Sequence, residues 1–485
     1  FGYWSEVFAE SFGCPKPYSS HNPMSVKSFA KTYGGAYYDG AYSVQQTSDG
    51  GYIVAGYTTS FGAGDYDAFL VKTDANGNVQ WAKTYGGTYN DLASSVQQTS
   101  DGGYIVAGTR FTFAGYYDIF LIKKDANGNI QWAKTYVRTD DERAFSVQQT
   151  SDGGYIVAGT RFPFAGWDVD IFLIKTDANG NIIWAKTYGG TDDDTAFSVQ
   201  QTSDGGYIVA GYTWSFGAGG RDAFLVKTDA NGNVQWAKTY GGTHRDVAYS
   251  VQQTSDGGYI VAGGTISFGA GGGDIFLIKT DANGNVQWAK TYGGTDYDWA
   301  YSVQQTSDGG YIVAGGTNSF GAGGGDIFLI KTDANGNIIW AKTYGGTNYE
   351  WAFSVQQTSD GGYIVAGRTY SFGVDSADIF LIKTDADGNI GSCSIVQNVN
   401  PTVTTPSPTV TTFSLSVSSV SLTVNSASPT FTTPTPTVSS PCPLSISEFC
   451  QITSGIITPY KGGIKVRGSG EFEVKVYNVS GGVVK

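Results

Sequence analysis

The sequence is poor in charge, in cysteine and above all in histidine. Only 15% of its 485 residues are charged, against about 25% in average usage. Two histidines, His21 and His244, and four cysteines leave little material for a metal centre or a nucleophile. No run of about 18 apolar residues occurs, which excludes a spanning helix. With 29 basic against 42 acidic side chains the net charge is −13, so the basic footprint that a nucleic-acid partner needs is missing. Glycine, at 69 residues, and aromatics, at 14%, are abundant instead.

These residues are organised as a repeat. The string Ser-Val-Gln-Gln-Thr-Ser-Asp-Gly-Gly-Tyr-Ile-Val-Ala-Gly recurs with its first valine at Val44, Val96, Val147, Val199, Val251, Val303 and Val355. Seven units of about 52 residues fill the chain from 29 to 389. A period near 50 fits helical solenoids or propeller blades. Residues 248–254, 259–265, 274–281 and 286–292 are rich in Val, Ile, Tyr, Phe, Trp and Thr, as strands are. Ser-Asp-Gly-Gly and Ala-Asn-Gly-Asn between them are tight-hairpin chemistry. The fold class is therefore all-β: a seven-bladed propeller with four antiparallel strands per blade. Ser-Val-Gln-Gln-Thr lines the channel and Trp-Ala-Lys-Thr-Tyr forms the outer strand.

Closure follows from what the last unit lacks. Residues 29–33 have no blade of their own, while the seventh unit ends in Gly-Ser-Cys-Ser in place of an outer strand. The early segment is expected to supply that strand and close the ring. Cys14 and Cys393 flank the closure and suggest one disulfide, with Cys442–Cys450 as a second. Four cysteines allow three connectivities. Disulfides imply an oxidising, extracellular setting.

The three motifs Trp-Ala-Lys-Thr-Tyr-Gly-Gly, Ser-Val-Gln-Gln-Thr-Ser-Asp-Gly-Gly-Tyr-Ile-Val-Ala-Gly and Asp-Ile-Phe-Leu-Ile-Lys-Thr-Asp-Ala-Asn-Gly-Asn resemble the SBBP-type β-propeller repeats of secreted bacterial and archaeal proteins. The resemblance spans about 360 residues and implies the fold, not a function. Residues 463–485 resemble the first half of a Por-type C-terminal secretion sorting domain. A removed leader is expected, because the chain starts at Phe1.

Acids recur at two places in every unit. One set precedes the inner strand (Asp39, Asp91, Glu142, Asp194, Asp246, Asp298, Glu350), the other opens the third strand (Asp67, Asp118, Asp170, Asp222, Asp274, Asp326, Asp378). Both fall on the long-loop face, where oxygen ligands could hold calcium or where carboxylates cap loop N–H groups. The first set is the calcium candidate; no other cofactor is implied. Asp-Ala-Asn-Gly-Asn lacks the later carboxylates and distant Glu of a calcium loop and reads as a turn. Trp81, Trp132, Trp184, Trp236, Trp288 and Trp340 are expected to pack between blades.

No repeated Ser/His/Asp arrangement exists, and no blade is singled out for paired-acid glycoside cleavage. The reading is of a protein that is not an enzyme. Differences between units gather in the long loops: Tyr89-Asn90, Asp140-Asp141, Asp192-Asp193, His244-Arg245, Tyr297, Tyr349, Tyr57, Arg110, Arg161 and Trp214. Variable loops on a rigid scaffold are where recognition resides.

The end of the chain differs. Residues 388–447 contain no Lys, Arg, Asp or Glu, and 22 of residues 401–440 are Ser or Thr, a composition expected of a glycosylated stalk. Within it Phe413, Leu415, Val417 and then Val420, Leu422, Val424 alternate with Ser and Thr, with one slip at Ser418–Ser419. So thin a face cannot fold alone and would add to a sheet edge on another subunit. The expected organisation is an arm (1–28), a propeller (29–392), a Ser/Thr/Pro-rich stalk with a strand-like centre (393–443) and a small β domain (444–485), with Asn478 a glycosylation acceptor. The leading functional expectation is a secreted, cell-surface subunit of a filament or sheath, self-associating head to tail through the tail strand. A carbohydrate-binding adhesin using the loops is the alternative, and a hydrolase at the channel mouth a second.

Overall fold

The computed structural model describes residues 28–391 except 114, 138–139, 164–167 and 375. It also describes 393–442 except 420–422, 427–429 and 433–434, and four short strands beyond 455. Cys14, His21, Cys450 and Asn478 lie outside the described residues, as do Val420 and Leu422. Seven antiparallel sheets form the ring. In the fifth blade the strands are Asp246–Gln253, Tyr259–Thr265, Asp274–Thr280 and Val286–Gly293. Hairpins Thr254–Gly258 and Asp281–Asn285 join them on one face, each closed by a backbone hydrogen bond of 2.9 Å. In the seventh blade Phe29–Gly34 pairs with Asp378–Thr384, so the expected closure is present.

The core lies between blades. Tyr259–Thr265 and Asp274–Thr280 are buried throughout. Ile260, Ala262, Leu277 and Tyr292 of the fifth blade pack on Val303, Tyr311, Val313, Phe328 and Ile330 of the sixth. The outer-strand tryptophans do bridge blades: Trp288 meets Tyr311 edge-on at 5.8 Å, and Trp81 meets Tyr104 at 5.9 Å.

The repeated polar residues hold these interfaces. At the channel, the innermost strand has a free edge whose N–H groups need acceptors. Both neighbouring blades supply them. Gln98 N–H donates to Gln45 Oε1, Val96 N–H to Ser43 Oγ and Ser48 N–H to Gln98 Oε1. The Gln–Gln bond recurs around the whole ring at 2.5–2.6 Å. On the short-hairpin face the outer strand grips the next blade. Tyr33, Tyr85, Tyr136, Tyr188, Tyr240, Tyr292 and Tyr344 each donate to a glycine carbonyl in the following Asp-Ala-Asn-Gly-Asn turn. Asp74 closes one such turn through the N–H groups of Asn76 and Asn78, and the motif is a turn as expected.

The tail is not a stalk. Its short strands each add a fifth strand to one blade of the same chain. Val396–Asn398 pairs with the outer strand of blade six, Thr402–Thr404 with blade five, Thr409–Thr412 with blade four and Ser416–Ser419 with blade three. Thr423–Ser426, Thr430–Thr432 and Thr437–Ser439 continue through blades two, one and seven. The sequence leads one to expect tail strands that add to an edge on another subunit; the edges they pair with belong to this chain. The apparent slip at Ser418–Ser419 has a simple cause. Belt strands start at 402, 409, 416, 423, 430 and 437, and a period of seven inverts strand parity from one blade to the next. Val403, Val410, Val417, Val424, Phe431 and Val438 each stand opposite the tyrosine of an outer strand. Phe413 stacks on Phe216 at 4.4 Å and leaves its outer strand through a bond to Ala237 O.

A disulfide closes this belt, and it is Cys393–Cys442. The pairings Cys14–Cys393 and Cys442–Cys450 are thereby replaced. The reason is geometric: one full circuit returns the tail to its starting point, so two cysteines 49 residues apart become neighbours. The belt's two ends meet against blade seven, where Ser440 Oγ donates to Ala30 O.

Cys393→Ser should open the belt and leave the ring folded, losing about 2–4 kcal/mol, the usual worth of a disulfide. Limited proteolysis of the oxidised and variant chains checks this, cleavage between 393 and 442 being faster in the variant. A second prediction concerns Lys124, which replaces the buried threonine found in the other blades (Thr73, Thr280). Burial, helped by nearby Lys83, pushes its ammonium down to about 6, and its Nζ sits 3.1 Å from the Tyr85 ring centroid. The unfolded chain therefore binds one more proton between pH 6 and 10.5, so this site favours folding increasingly as pH rises through that window. Lys124→Thr should stabilise the protein at pH 7 by on the order of 1–3 kcal/mol, with the gain shrinking towards pH 10 in denaturant titrations.

Candidate functional site: the channel mouth

Because the repeated residues are spent on the ring, chemistry specific to this chain must come from positions that vary. They converge at the channel mouth on the long-loop face. In every inner strand the register shifts by one residue after the alanine, for example between Ala41 and Ser43. A bulge of this kind leaves one residue unpaired and re-aims its side chain. The bulged residues are Tyr42, Ser94, Phe145, Phe197, Tyr249, Tyr301 and Phe353.

Six of these seven form a collar of touching rings. Centroid separations are 5.4 Å for Tyr42–Phe353, 5.2 Å for Tyr301–Phe353, 5.0 Å for Tyr249–Tyr301, 4.9 Å for Phe197–Tyr249 and 5.4 Å for Phe145–Phe197. Ser94, in blade two, interrupts it. Burial pushes the Tyr42 and Tyr301 phenols up to about 12, so both remain hydrogen-bond donors at neutral pH. Below the collar, valines and the first glutamine of each blade line a channel cavity of about 250 Å³.

A second tier surrounds the collar. Tyr57 lies 5.5 Å from Tyr42, and Trp299 lies 6.1 Å from Tyr249. Space for Trp299 comes from Gly264 of the preceding blade, where a Cβ would stand 2.1 Å from the indole. Arginines stack on these rings: Arg221 on Tyr212 at 4.5 Å, Arg245 on Trp299 at 4.9 Å, and Arg368 between Phe353 and Tyr370 at 5.7 and 5.8 Å. Farther out, Tyr37 (62% exposed), Tyr349 (51%), Trp214 (47%) and Tyr297 (45%) face solvent.

The expected loop residues divide into two groups. Tyr57, Tyr297, Tyr349, Trp214 and Arg245 belong to the mouth. Arg110 and Arg161 are neutralised instead, Arg110 by Asp91 at 3.9 Å and Arg161 by Asp140 at 2.7 Å and Asp170 at 3.5 Å. Asp141 and Asp193 accept backbone N–H groups from Tyr117 and Val169. His244 is an exposed loop residue whose N–H donates to Ser267 Oγ.

The two acid sets meet in pairs at the blade interfaces beneath the long loops. Asp39 accepts from Gly35 N–H and Ser60 Oγ, Asp246 from Gly242 N–H and Ser267 Oγ, and Glu350 from Gly346 N–H, Thr369 Oγ1 and Ser371 N–H. The third-strand acids cap the other loop: Asp222 takes Ala218 N–H and Asp274 takes Ala270 N–H. Asp194, Asp298 and Asp91 repeat the first pattern through Gly190, Gly294 and Gly87. Glu142 is buried at the equivalent place. One oxygen of each aspartate caps a loop, while Oδ1 of Asp39, Asp194, Asp222, Asp246, Asp274 and Asp298 is buried without a protein hydrogen-bond partner. Among the described residues no group of three or more His, Cys, Asp or Glu converges as a metal site.

Gly241 shows how close the pairs approach, since a Cβ there would lie 1.9 Å from Asp222 and 2.8 Å from Asp246. Burial, with the partner carboxylate adding to it, raises Asp222 to about 6 and Asp378 to about 7. In the unfolded chain both titrate near 4, so the folded state holds extra protons between about pH 4 and 7 and loses stability as pH rises through that window. The hairpin acids act in the opposite sense. Partial burial opposes ionisation of Asp204, but Lys227, Thr202 and Gly206 N–H hold it down at about 2. Its contribution is lost only as pH falls below 4. Thermal melts should therefore peak between about pH 4 and 6, and Asp378→Asn should flatten the decline between pH 5 and 8.

A family model described as a domain of unknown function (DUF5122) beta-propeller matches residues 202–234. The chain is 24% identical over 367 residues to the regulatory protein FlaEY of Caulobacter vibrioides, covering 68% of this chain. The aligned part spans 36% of that relative's own length. Among solved structures, a protein of unknown function from Dyadobacter fermentans aligns with a TM-score of 0.38 at 11% identity, over 74% of this chain and 99% of its own. A glucose dehydrogenase aligns with a TM-score of 0.35 at 10% identity, over 73% and 99%. The sequence matches and the seven-sheet ring together describe a propeller repeat protein.

Proposed function

We propose that the protein is an extracellular carbohydrate-binding surface protein, an adhesin that offers its channel mouth to glycans and performs no catalysis on them. The observation that carries this reading is the collar of six half-buried aromatic rings. Aromatic faces attract the C–H-rich faces of sugars, and neighbouring phenols and guanidiniums supply directional hydrogen bonds. A mouth built of large apolar rings with a few polar groups has the usual make-up of a ligand site. The disulfide-closed belt supports an oxidising location.

A filament joined through the tail would need the belt strands to leave their own blades. The glycan reading asks for no such rearrangement and is preferred. A glycan array probed with the full chain tests it. Binding to a defined saccharide class is expected, with Tyr249→Ala/Tyr301→Ala reducing it by at least ~10-fold, the scale of losing an aromatic stacking platform. A blank array, or binding indifferent to the double substitution, would refute the assignment.

A further inference from the structure

We infer that the mouth selects anionic saccharides, through an arc of three guanidiniums formed by Arg221, Arg245 and Arg368. The inference rests on the glycan reading and adds the charge of the ligand. The hairpin lysines are spent on carboxylates. Lys72, Lys227, Lys279, Lys331 and Lys383 each pair with the aspartate of their own hairpin at 2.8–3.1 Å. Arg110 and Arg161 have carboxylate partners as well. Among the described arginines Arg143, Arg221, Arg245 and Arg368 make no ion pair, although the protein carries a net charge of −13; Arg143 stacks apart from the other three, over Tyr117 and Phe162.

Their surroundings hold them in place without neutralising them. Arg221 lies over Tyr212 and Trp214, at 4.5 and 5.3 Å. Arg245 lies over Trp299 and its Nη2 donates to Tyr249 Oη at 3.4 Å. Arg368 lies beside Phe353 and Tyr370, and its Nη1 donates to Tyr57 Oη at 3.5 Å. The Nε atoms of all three are buried without a protein acceptor. An aromatic face stabilises a guanidinium through its quadrupole while leaving the planar N–H edge free to take an oxyanion.

The three cations address one site. Arg245 and Arg221 both act on the Tyr249 hydroxyl, Arg368 and Arg245 both on Tyr301, and Arg368 on Tyr42, in each case favouring the ionised phenol against the opposing effect of burial. All three phenols belong to the collar. Of the neighbouring loop carboxylates, Asp140 is taken by Arg161, and Asp141 and Asp193 accept backbone N–H groups. A sugar ring stacked on Tyr249 or Tyr301 would thus place a carboxylate, sulfate or phosphate substituent within the arginine arc. Charge-assisted hydrogen bonds of this type are the strong class.

The test titrates the full disulfide-bonded chain by calorimetry with an oligogalacturonide, a sulfated galactan oligosaccharide and a neutral galactan oligosaccharide. At low ionic strength one or both acidic ligands should bind at least ~10-fold more tightly than the neutral one, and the gap should close in about 1 M salt. The two acidic arms distinguish carboxylate from sulfate recognition. Arg221→Gln/Arg245→Gln/Arg368→Gln should abolish the gap between acidic and neutral ligands, the neutral ligand serving as each variant's own reference, while the corresponding lysine set should restore part of it; circular dichroism confirms that both sets are folded. Equal affinity for neutral and acidic ligands, or a gap that survives the glutamine set, overturns this inference and leaves the glycan reading standing. Failure of every saccharide to bind overturns both.

Discussion

A four-stranded blade leaves two rows of unpaired backbone groups, one along the channel and one along the rim. Those rows are the constraint on which the rest of the structure depends. At the channel each strand's N–H groups are capped by serine and glutamine side chains of the preceding blade, and the turn that follows it by a glutamine of the next blade. At the rim the belt supplies a fifth strand to every sheet. The Ser-Val-Gln-Gln-Thr-Ser string is therefore repeated because an edge is repeated. Likewise the lysine and tyrosine of Trp-Ala-Lys-Thr-Tyr are needed wherever one blade must grip the next turn, as Lys31 grips Asn76 and Asn78. Function is left to the positions outside this lattice of edge closure, and they crowd around one end of the channel.

Blades and closure could be read from the sequence because turn chemistry is local. Asp-Gly-Gly and Asn-Gly-Asn demand positive φ at fixed glycines, as at Gly257 (82°) and Gly284 (74°), and a unit copied seven times repeats its loop lengths. The acids at the long loops read as either caps or ligands; the capping half depends on Ser60, Ser267 and glycine N–H groups that only the fold brings near. The collar was hidden for another reason. A bulge reverses the alternation of a strand, so Tyr42 and its equivalents cannot be placed on the channel face by counting in twos. Loop arginines were equally ambiguous. Arg110 and Arg161 look the same in sequence as Arg245, and their neutralisation depends on acids that only the fold brings near.

Parity conceals the tail's true division into strands. Strand periodicity is two, and a seven-residue repeat breaks it at every step, so the run from Phe413 to Val424 looks like one strand with a defect. It is a succession of short strands around a curved rim. The disulfide pairing was hidden by the same curvature, since Cys393 and Cys442 become adjacent only after the tail has passed all seven blades.

Near-identical modules give a ring little means of telling six blades from eight, because every interface is the same interface. The belt does count. It allots seven residues, roughly 23 Å of extended chain, to each outer strand, and its two ends reach bonding distance only after one complete circuit. A ring with one blade fewer would leave slack and an unpaired strand; one with an extra blade would keep the cysteines apart and expose a bare edge. The tail thus acts as a measuring tape cut to a single circumference, and its covalent closure certifies that the right number of modules has been assembled.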